Sequence, residues 1–137
     1  MTARQILDPG TPIDIYKSVL TDKYADFTGR ARRAEYWWFA LMNVIVITAI
    51  GIVSFILFSV SETLGYFGFA IYGVYALAVI VPGLAVAVRR LHDTSKSGWM
   101  LFVGFIPLVG GILLLVFYFT DGDPGPNQYG PSQKYAA

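Results

Sequence analysis

The sequence predicts an all-α integral membrane protein. Three transmembrane helices are expected at about 36–59, 64–88 and 98–120, preceded by an interfacial amphipathic helix at about 12–27. Three observations carry this. Charged residues make up 14% of the chain, against about 25% in an average soluble domain. They are absent from 36–60, 64–88 and 97–120, and about 20 apolar residues in helical form cross a bilayer core. Mean hydropathy is +0.57. A length of 137 residues allows a single integral-membrane domain, 1–137, with 1–11 a flexible lead and 121–137 a Pro/Gly-rich tail. The chain has no cysteine, which excludes disulfides, thiolate metal sites and a cysteine nucleophile. The first apolar window is longer than a signal-peptide core and lacks an A-x-A cleavage pattern, so it is expected to remain in place.

Thr11-Pro12-Ile13-Asp14 reads as a helix start, with a capping hydroxyl, proline at the first helical position and an acidic group in the first turn. Ile13, Tyr16, Leu20, Tyr24 and Phe27 then follow at helical spacing and form one apolar stripe. A helix of this length cannot span, so it lies on the membrane surface or packs on the protein's own loops. Asp26-Phe-Thr-Gly29 breaks it. Arg30, Arg32 and Arg33 come next, just before Tyr36-Trp37-Trp38-Phe39. Arginines beside aromatic rings mark the water–lipid boundary. Asn43 is the one amide in the first window and reads as an interhelical hydrogen bond.

Ser61-Glu62-Thr63 is so short a turn that the first two spans must be antiparallel neighbours. The second carries Gly65, Gly68, Gly73 and Gly83, and Gly83 with Ala87 has the small-xxx-small spacing of close helix contacts. Pro82 predicts a kink. Lys and Arg concentrate ahead of the first span and between the second and third windows, which orients the N-terminus to the cytoplasm. With three spans the C-terminus is then periplasmic. Pro107 and Gly110-Gly111 interrupt the third window. A kinked full span is the favoured reading there over a re-entrant hairpin, whose exposed backbone would need protein around it.

Two polar constellations remain, Arg89-Arg90-Leu91-His92-Asp93 and the tail carrying Asp121, Asp123, Asn127 and Tyr129. His92 is the single histidine, so no multi-histidine metal site forms within one chain. Asp121, Asp123 and Asn127 lack the glycine and bidentate glutamate positions of a calcium loop. No nucleophile elbow, P-loop or zinc-protease motif occurs. The spanning windows hold no ionisable residue of the kind that proton relays require. No metal and no cofactor is therefore expected.

The chain resembles the bacterial inner-membrane family known as domain of unknown function 805. The resemblance rests on Asp26-Phe-Thr-Gly-Arg-Ala-Arg-Arg-Ala-Glu-Tyr-Trp, on Arg89-Arg-Leu-His-Asp-Thr-Ser-Lys-Ser-Gly-Trp, and on the tail residues Asp121, Gly125, Asn127, Tyr129 and Gly130. It implies a small multi-pass inner-membrane protein and no particular activity. Arg30, Arg33, Glu35, Arg89, Arg90, His92, Asp93, Asp123 and Asn127 are the candidate headgroup-binding or partner-binding residues. Glu35 and Asp93 are expected to pair with nearby arginines in a charged cluster at the headgroup layer, which either organises the three helices or leaves one arginine for a phosphate. The leading expectation is a non-catalytic module that binds membrane lipids or a larger membrane partner, or forms a homo-oligomer, with no nucleic-acid role. The alternatives are a small transporter or channel subunit, and an interfacial enzyme acting on headgroups through His92.

Overall fold

The computed structural model describes residues 6–135, so the first five residues of the expected lead and the last two of the tail lie outside it. Among the described residues the regular elements are helices, with two isolated β-bridges and no strand. Helix α1 is Pro12–Leu20, α2 Arg33–Val60, α3 Glu62–Ala78 and α4 Ile80–Asp93. A 3-10 helix, Gly98–Phe105, and α5, Val109–Phe119, complete the order.

Helix α1 begins where its cap predicts. The Thr11 hydroxyl accepts from the Asp14 amide at 3.2 Å and donates to the Asp14 carboxylate at 2.7 Å. It is shorter than the expected 12–27 because the Thr21 hydroxyl turns back to the Lys17 carbonyl, and residues 21–25 leave the helix as a turn. Its buried face, Ile15 and Val19, packs towards α2 and α4, where Val19 joins Ala31, Phe39 and Val86.

Two runs are long and apolar enough to cross a membrane. Helix α2 has 28 residues, about 42 Å at 1.5 Å per residue. Helices α3 and α4 together form a 32-residue run, Glu62–Asp93. In the most apolar stretch of α2 only 6% of residues are buried, so α2 is not the enclosed core helix of a soluble domain. Ser61 ends α2 and caps α3, and the two helices pack antiparallel. Their closest approach lies at Gly65 and Gly68. A Cβ on Gly65 would sit 2.5 Å from Phe58 Cα, and one on Gly68 2.9 Å from Ser54 Cα. The Gly83/Ala87 pair does not play that part, since the nearest atom to a Cβ on Gly83 is a Phe39 ring carbon at 3.9 Å. Asn43 accepts from the Tyr75 hydroxyl at 2.7 Å and so ties α2 to α3 within the apolar layer.

The kink predicted from Pro82 falls at Val79, between α3 and α4. Proline has no N–H for the carbonyl four residues back, and its ring crowds that carbonyl. The carbonyl is Ala78, and the Tyr24 hydroxyl donates to it at 2.7 Å.

The third window corrects the sequence reading: it is a hairpin and not a full span. The 3-10 helix of 8 residues reaches about 16 Å, and α5, with 11, also about 16 Å. Each is about half of a 30 Å hydrocarbon core. The arms lie against each other, joined by Ile106-Pro107-Leu108 with Leu108 at φ 63. Gly110 lets them meet, because a Cβ there would fall 1.9 Å from the Val103 carbonyl oxygen. Both feet stand at the C-terminal end of α4, with Gly98 against Val88 and Gly122 against Asp93. The tail therefore returns to the side of α1. Ile6 bridges Tyr135, and the Leu7 amide donates to the Lys134 carbonyl at 2.7 Å. The two ends of the described chain lie together, which overturns the expected placement of the C-terminus opposite the N-terminus.

Candidate functional site

The residues singled out in the sequence converge where α2 begins and α4 ends. Helix α4 delivers Arg89, Arg90, His92 and Asp93, and the segment before α2 delivers Arg30. Arg30, Arg89, Arg90 and Asp93 are all at least 97% buried, far from the usual exposure of such side chains. Burying charges in this way costs free energy unless their hydrogen-bonding capacity is filled.

For Arg30 and Arg90 it is filled chiefly by backbone, and for Asp93 by the two arginines. Asp93 accepts from Arg30 Nε at 2.9 Å and from Arg90 Nη1 at 2.8 Å. Arg30 also donates to the carbonyls of Asp93, Asp123, Gly125 and Gly130, three of them in the tail. Arg90 donates to the carbonyls of Tyr118, at 3.1 Å, and Thr120. Trp37 Nε1 reaches Tyr118 O at 3.1 Å, and Arg33 reaches Phe119 O at 3.2 Å. The last turn of a helix leaves its carbonyls without intrahelical partners, and these three donors close the C-terminus of α5. They explain why the hairpin returns to this spot. Aromatic pairs seal it, Tyr36 tilted against Tyr118 at 4.4 Å and Trp37 stacked on Phe119 at 4.3 Å.

Arg89 forms the second half of the cluster. It pairs with Glu35 and donates to the Asp26 carbonyl at 2.9 Å, and Lys23 adds a second cation to Glu35 at 3.3 Å. Among the described residues, Arg89 Nη2 is the buried side-chain nitrogen that has no hydrogen-bond partner.

The tail docks on the other side of α4. The Asp123 amide donates to the Asp93 carbonyl at 2.8 Å. Asn127 Nδ2 donates to the His92 carbonyl at 2.9 Å and to Asp123 Oδ2 at 3.0 Å. Hydrogen bonds from Asn127 and Ser95 hold the Asp123 carboxyl below the usual carboxylate range. His92 hydrogen-bonds the Gly29 carbonyl through Nδ1 at 2.9 Å and stacks on Tyr129 at 3.8 Å, with the rings 3° apart. It makes no contact with the Asp93 carboxylate of the kind a catalytic dyad needs. Asp121 points elsewhere, to Arg33, Lys134 and Tyr135. Burial raises its carboxyl, but the hydrogen bonds from Tyr135 and Lys134 outweigh that and leave it lowered. Asp121 thus points away from Asp123 and Asn127, which bond each other. No group of three or more His, Asp or Glu side chains that could hold a metal occurs among the described residues.

The nine candidate residues all meet at this end of the molecule, with Arg33 at its exposed rim. Arg30, Arg89 and Arg90 are engaged by the protein itself, so the cations open to a ligand are others. Sequence reasoning passed over Lys23 and Arg32, together with Asp8 and Asp14, which line a cavity beside Glu35. Asp14 lies on α1 and Lys23 in the turn after it, and their meeting with residues of α2 depends on how α1 packs. Nothing in their spacing signals it.

A family profile described as "Protein of unknown function (DUF805)" matches residues 24–131. The chain is 43% identical over 122 residues to the inner membrane protein YhaI of Escherichia coli strain K12, covering 89% of this chain and 97% of that protein. It is 38% identical over 126 residues to the inner membrane protein YhaH of the same strain, covering 89% and 98%. No solved structure matches the chain.

Proposed function

This chain belongs to the family described as protein of unknown function (DUF805), and on that premise we propose that it is a non-catalytic inner-membrane module that engages phospholipid headgroups at the level of its charged cluster. The inner-membrane location is carried over from the names of its relatives. The observation that carries the reading is the division of labour among the cations. Arg30, Arg89 and Arg90 are consumed in joining α2, α4, α5 and the tail. Lys17, Lys23, Arg32 and Arg33 surround them with more open side chains, at the end of a span where headgroups lie. The cluster is thus a fold-holding clamp, with a basic rim left for lipid.

The same end holds every Lys and Arg among the described residues, while the opposite turn carries Glu62. By the positive-inside rule this end is cytoplasmic. We assign two spans, α2 and α3–α4, with α5 and the 3-10 helix dipping into the cytoplasmic leaflet and both ends of the described residues on the cytoplasmic side. Helix α1 lies at the same boundary. Single cysteines in place of Ser97, Gln128 and Thr63 test this, since the chain has none of its own. The first two should label with an impermeant thiol reagent from one face and the third from the other. Labelling at 97 and 128 from opposite faces would overturn the hairpin topology.

Lipid engagement is tested by native mass spectrometry of protein taken from mixed phospholipid vesicles. Retained phospholipid is expected, and a folded protein that sheds all lipid would refute the reading. A second reading, docking to a larger membrane partner, is favoured by Trp99, Phe102 and Phe105. They stack at 5.5 and 5.8 Å along one exposed edge of the hairpin. Co-purification with a defined stoichiometric partner through that edge, lost in Phe102→Ser, would establish it.

A further inference from the structure

One cavity at the clamped end of the molecule is built from charges of both signs. It has a volume of about 270 Å³ and lies between α1, the start of α2 and the segment around residue 8. That is near the small end of ligand-pocket sizes, roughly 300 Å³, a fit for a headgroup and not for a whole lipid. Its charged lining is Asp8, Asp14, Lys23, Arg32 and Glu35. Glu35 is already answered from behind by Arg89, so two cations and two carboxylates remain facing the cavity.

Those groups are not spent on one another. Among the described residues the ion pairs of this region are Lys23–Glu35 and Arg89–Glu35; Asp8, Asp14 and Arg32 make none. Arg32 gives one Nη1 bond, to the Leu7 carbonyl at 2.6 Å, and keeps its remaining guanidinium donors. Asp8 accepts only from the Gly10 amide, and Asp14 from the Thr11 hydroxyl. An anion alone would meet the two carboxylates, and a cation alone would meet Lys23 and Arg32. A ligand that carries both charges a few ångströms apart satisfies the whole lining.

We propose that this cavity binds a zwitterion composed of a phosphate and a primary ammonium, and that its source is the headgroup of an ethanolamine phospholipid. The phosphate sits by Lys23 and Arg32, where charge-assisted hydrogen bonds are strongest. The ammonium sits by Asp8 and Asp14. A primary ammonium supplies three donors to carboxylates, whereas a trimethylated one supplies none, so the site discriminates against choline. Because Arg32 and Glu35 stand at the first turn of a spanning helix, the cavity lies at headgroup depth. This deepens the headgroup reading given above and rests on it.

The test uses the full chain in nanodiscs of choline lipid alone, or doped with ethanolamine or glycerol phospholipid, with bound lipid counted by native mass spectrometry. Ethanolamine lipid should be retained about tenfold over the other two. Asp8→Asn, which keeps the hydrogen bond from Gly10, and Lys23→Gln should each lower that preference about tenfold. Asp22→Asn, exposed in the turn after α1 and outside the cavity, should leave it intact, and thermal unfolding of each variant separates lost binding from lost fold. Soluble phosphoethanolamine should displace the lipid. Equal retention of all three headgroups, or a preference unmoved by Asp8→Asn and Lys23→Gln, overturns the cavity assignment while lipid engagement stands. Binding of soluble phosphoethanolamine without any lipid retention supports the cavity's chemistry and overturns its lipid source together with the headgroup reading. Binding of neither overturns both.

Discussion

The two ends of the α2–α3/α4 pair are held by opposite means. At the turn end, α2 and α3 touch through Gly65 and Gly68 against Phe58 and Ser54, with no ion pair and with backbone pressed on backbone. At the clamp end, three buried arginines and two buried carboxylates bind five separate segments through charge-assisted hydrogen bonds. Lipid offers no hydrophobic drive for helices to associate, so close packing of small residues has to serve there. At the boundary, the loose ends of helices and the tail present carbonyls that water, lipid or protein must satisfy. A guanidinium with five donors satisfies several at once. The difference teaches that the charged motifs of this chain are first a device for joining segments, and only their outer neighbours are left for ligands.

The comparison breaks most visibly at Asp93. Asp93→Ala strands Arg30 and Arg90 in a site that is at most 3% exposed, and loss of one partner of a buried pair costs about 3–5 kcal/mol. Thermal unfolding in detergent should show a large drop in Tm or no folded protein at all. Gly122→Val is next. Its Cβ would fall 2.0 Å from Asp93 Oδ2, so the tail should lift off while the helices remain. Faster amide exchange confined to residues around 120–130 is the expected readout. At the opposite end, Gly68→Val should cost about 1–3 kcal/mol by overpacking against Ser54, whereas Gly73→Ala, with nothing within 4 Å, should stay within about 0.5 kcal/mol. If both glycines behaved alike, close approach would not be what joins the turn end. Tyr24→Phe should cost about 1 kcal/mol by freeing the Ala78 carbonyl at the break before Pro82.

The smallest effect is that of pH on the tail. Asp123 titrates lower in the folded protein than in the unfolded chain. Its contribution is therefore complete above the unfolded value, about 3.9, and is lost as pH falls through the lowered folded value. Amide exchange in the tail should be flat from neutral pH down to about 4, once corrected for intrinsic rates, and should rise only below it. Asp123→Asn should remove that rise.

Sequence alone determined the membrane class and the two long apolar runs, and it singled out the charged residues that the fold brings to one end. Charge-free windows report a transfer cost that adds up locally, and a helix start such as Thr11-Pro12 is written within four residues. The pairing of Glu35 and Asp93 with arginines is expected from the sequence in kind, whereas the backbone carbonyls that take most of the arginines' donors are not. Only the tertiary structure decided what the third window does. Whether 98–120 crosses or turns back depends on Gly110 closing on Val103 and on Arg90, Arg33 and Trp37 capping carbonyls about 30 to 85 positions away. Hydropathy registers neither. It likewise decided that the tail meets His92, that Arg30, Arg89 and Arg90 are consumed within the fold, and that Asp8, Asp14, Lys23 and Arg32 surround one cavity. Each of these is a contact between distant segments, fixed by packing and hydrogen-bond satisfaction, which a linear pattern of residue types does not encode.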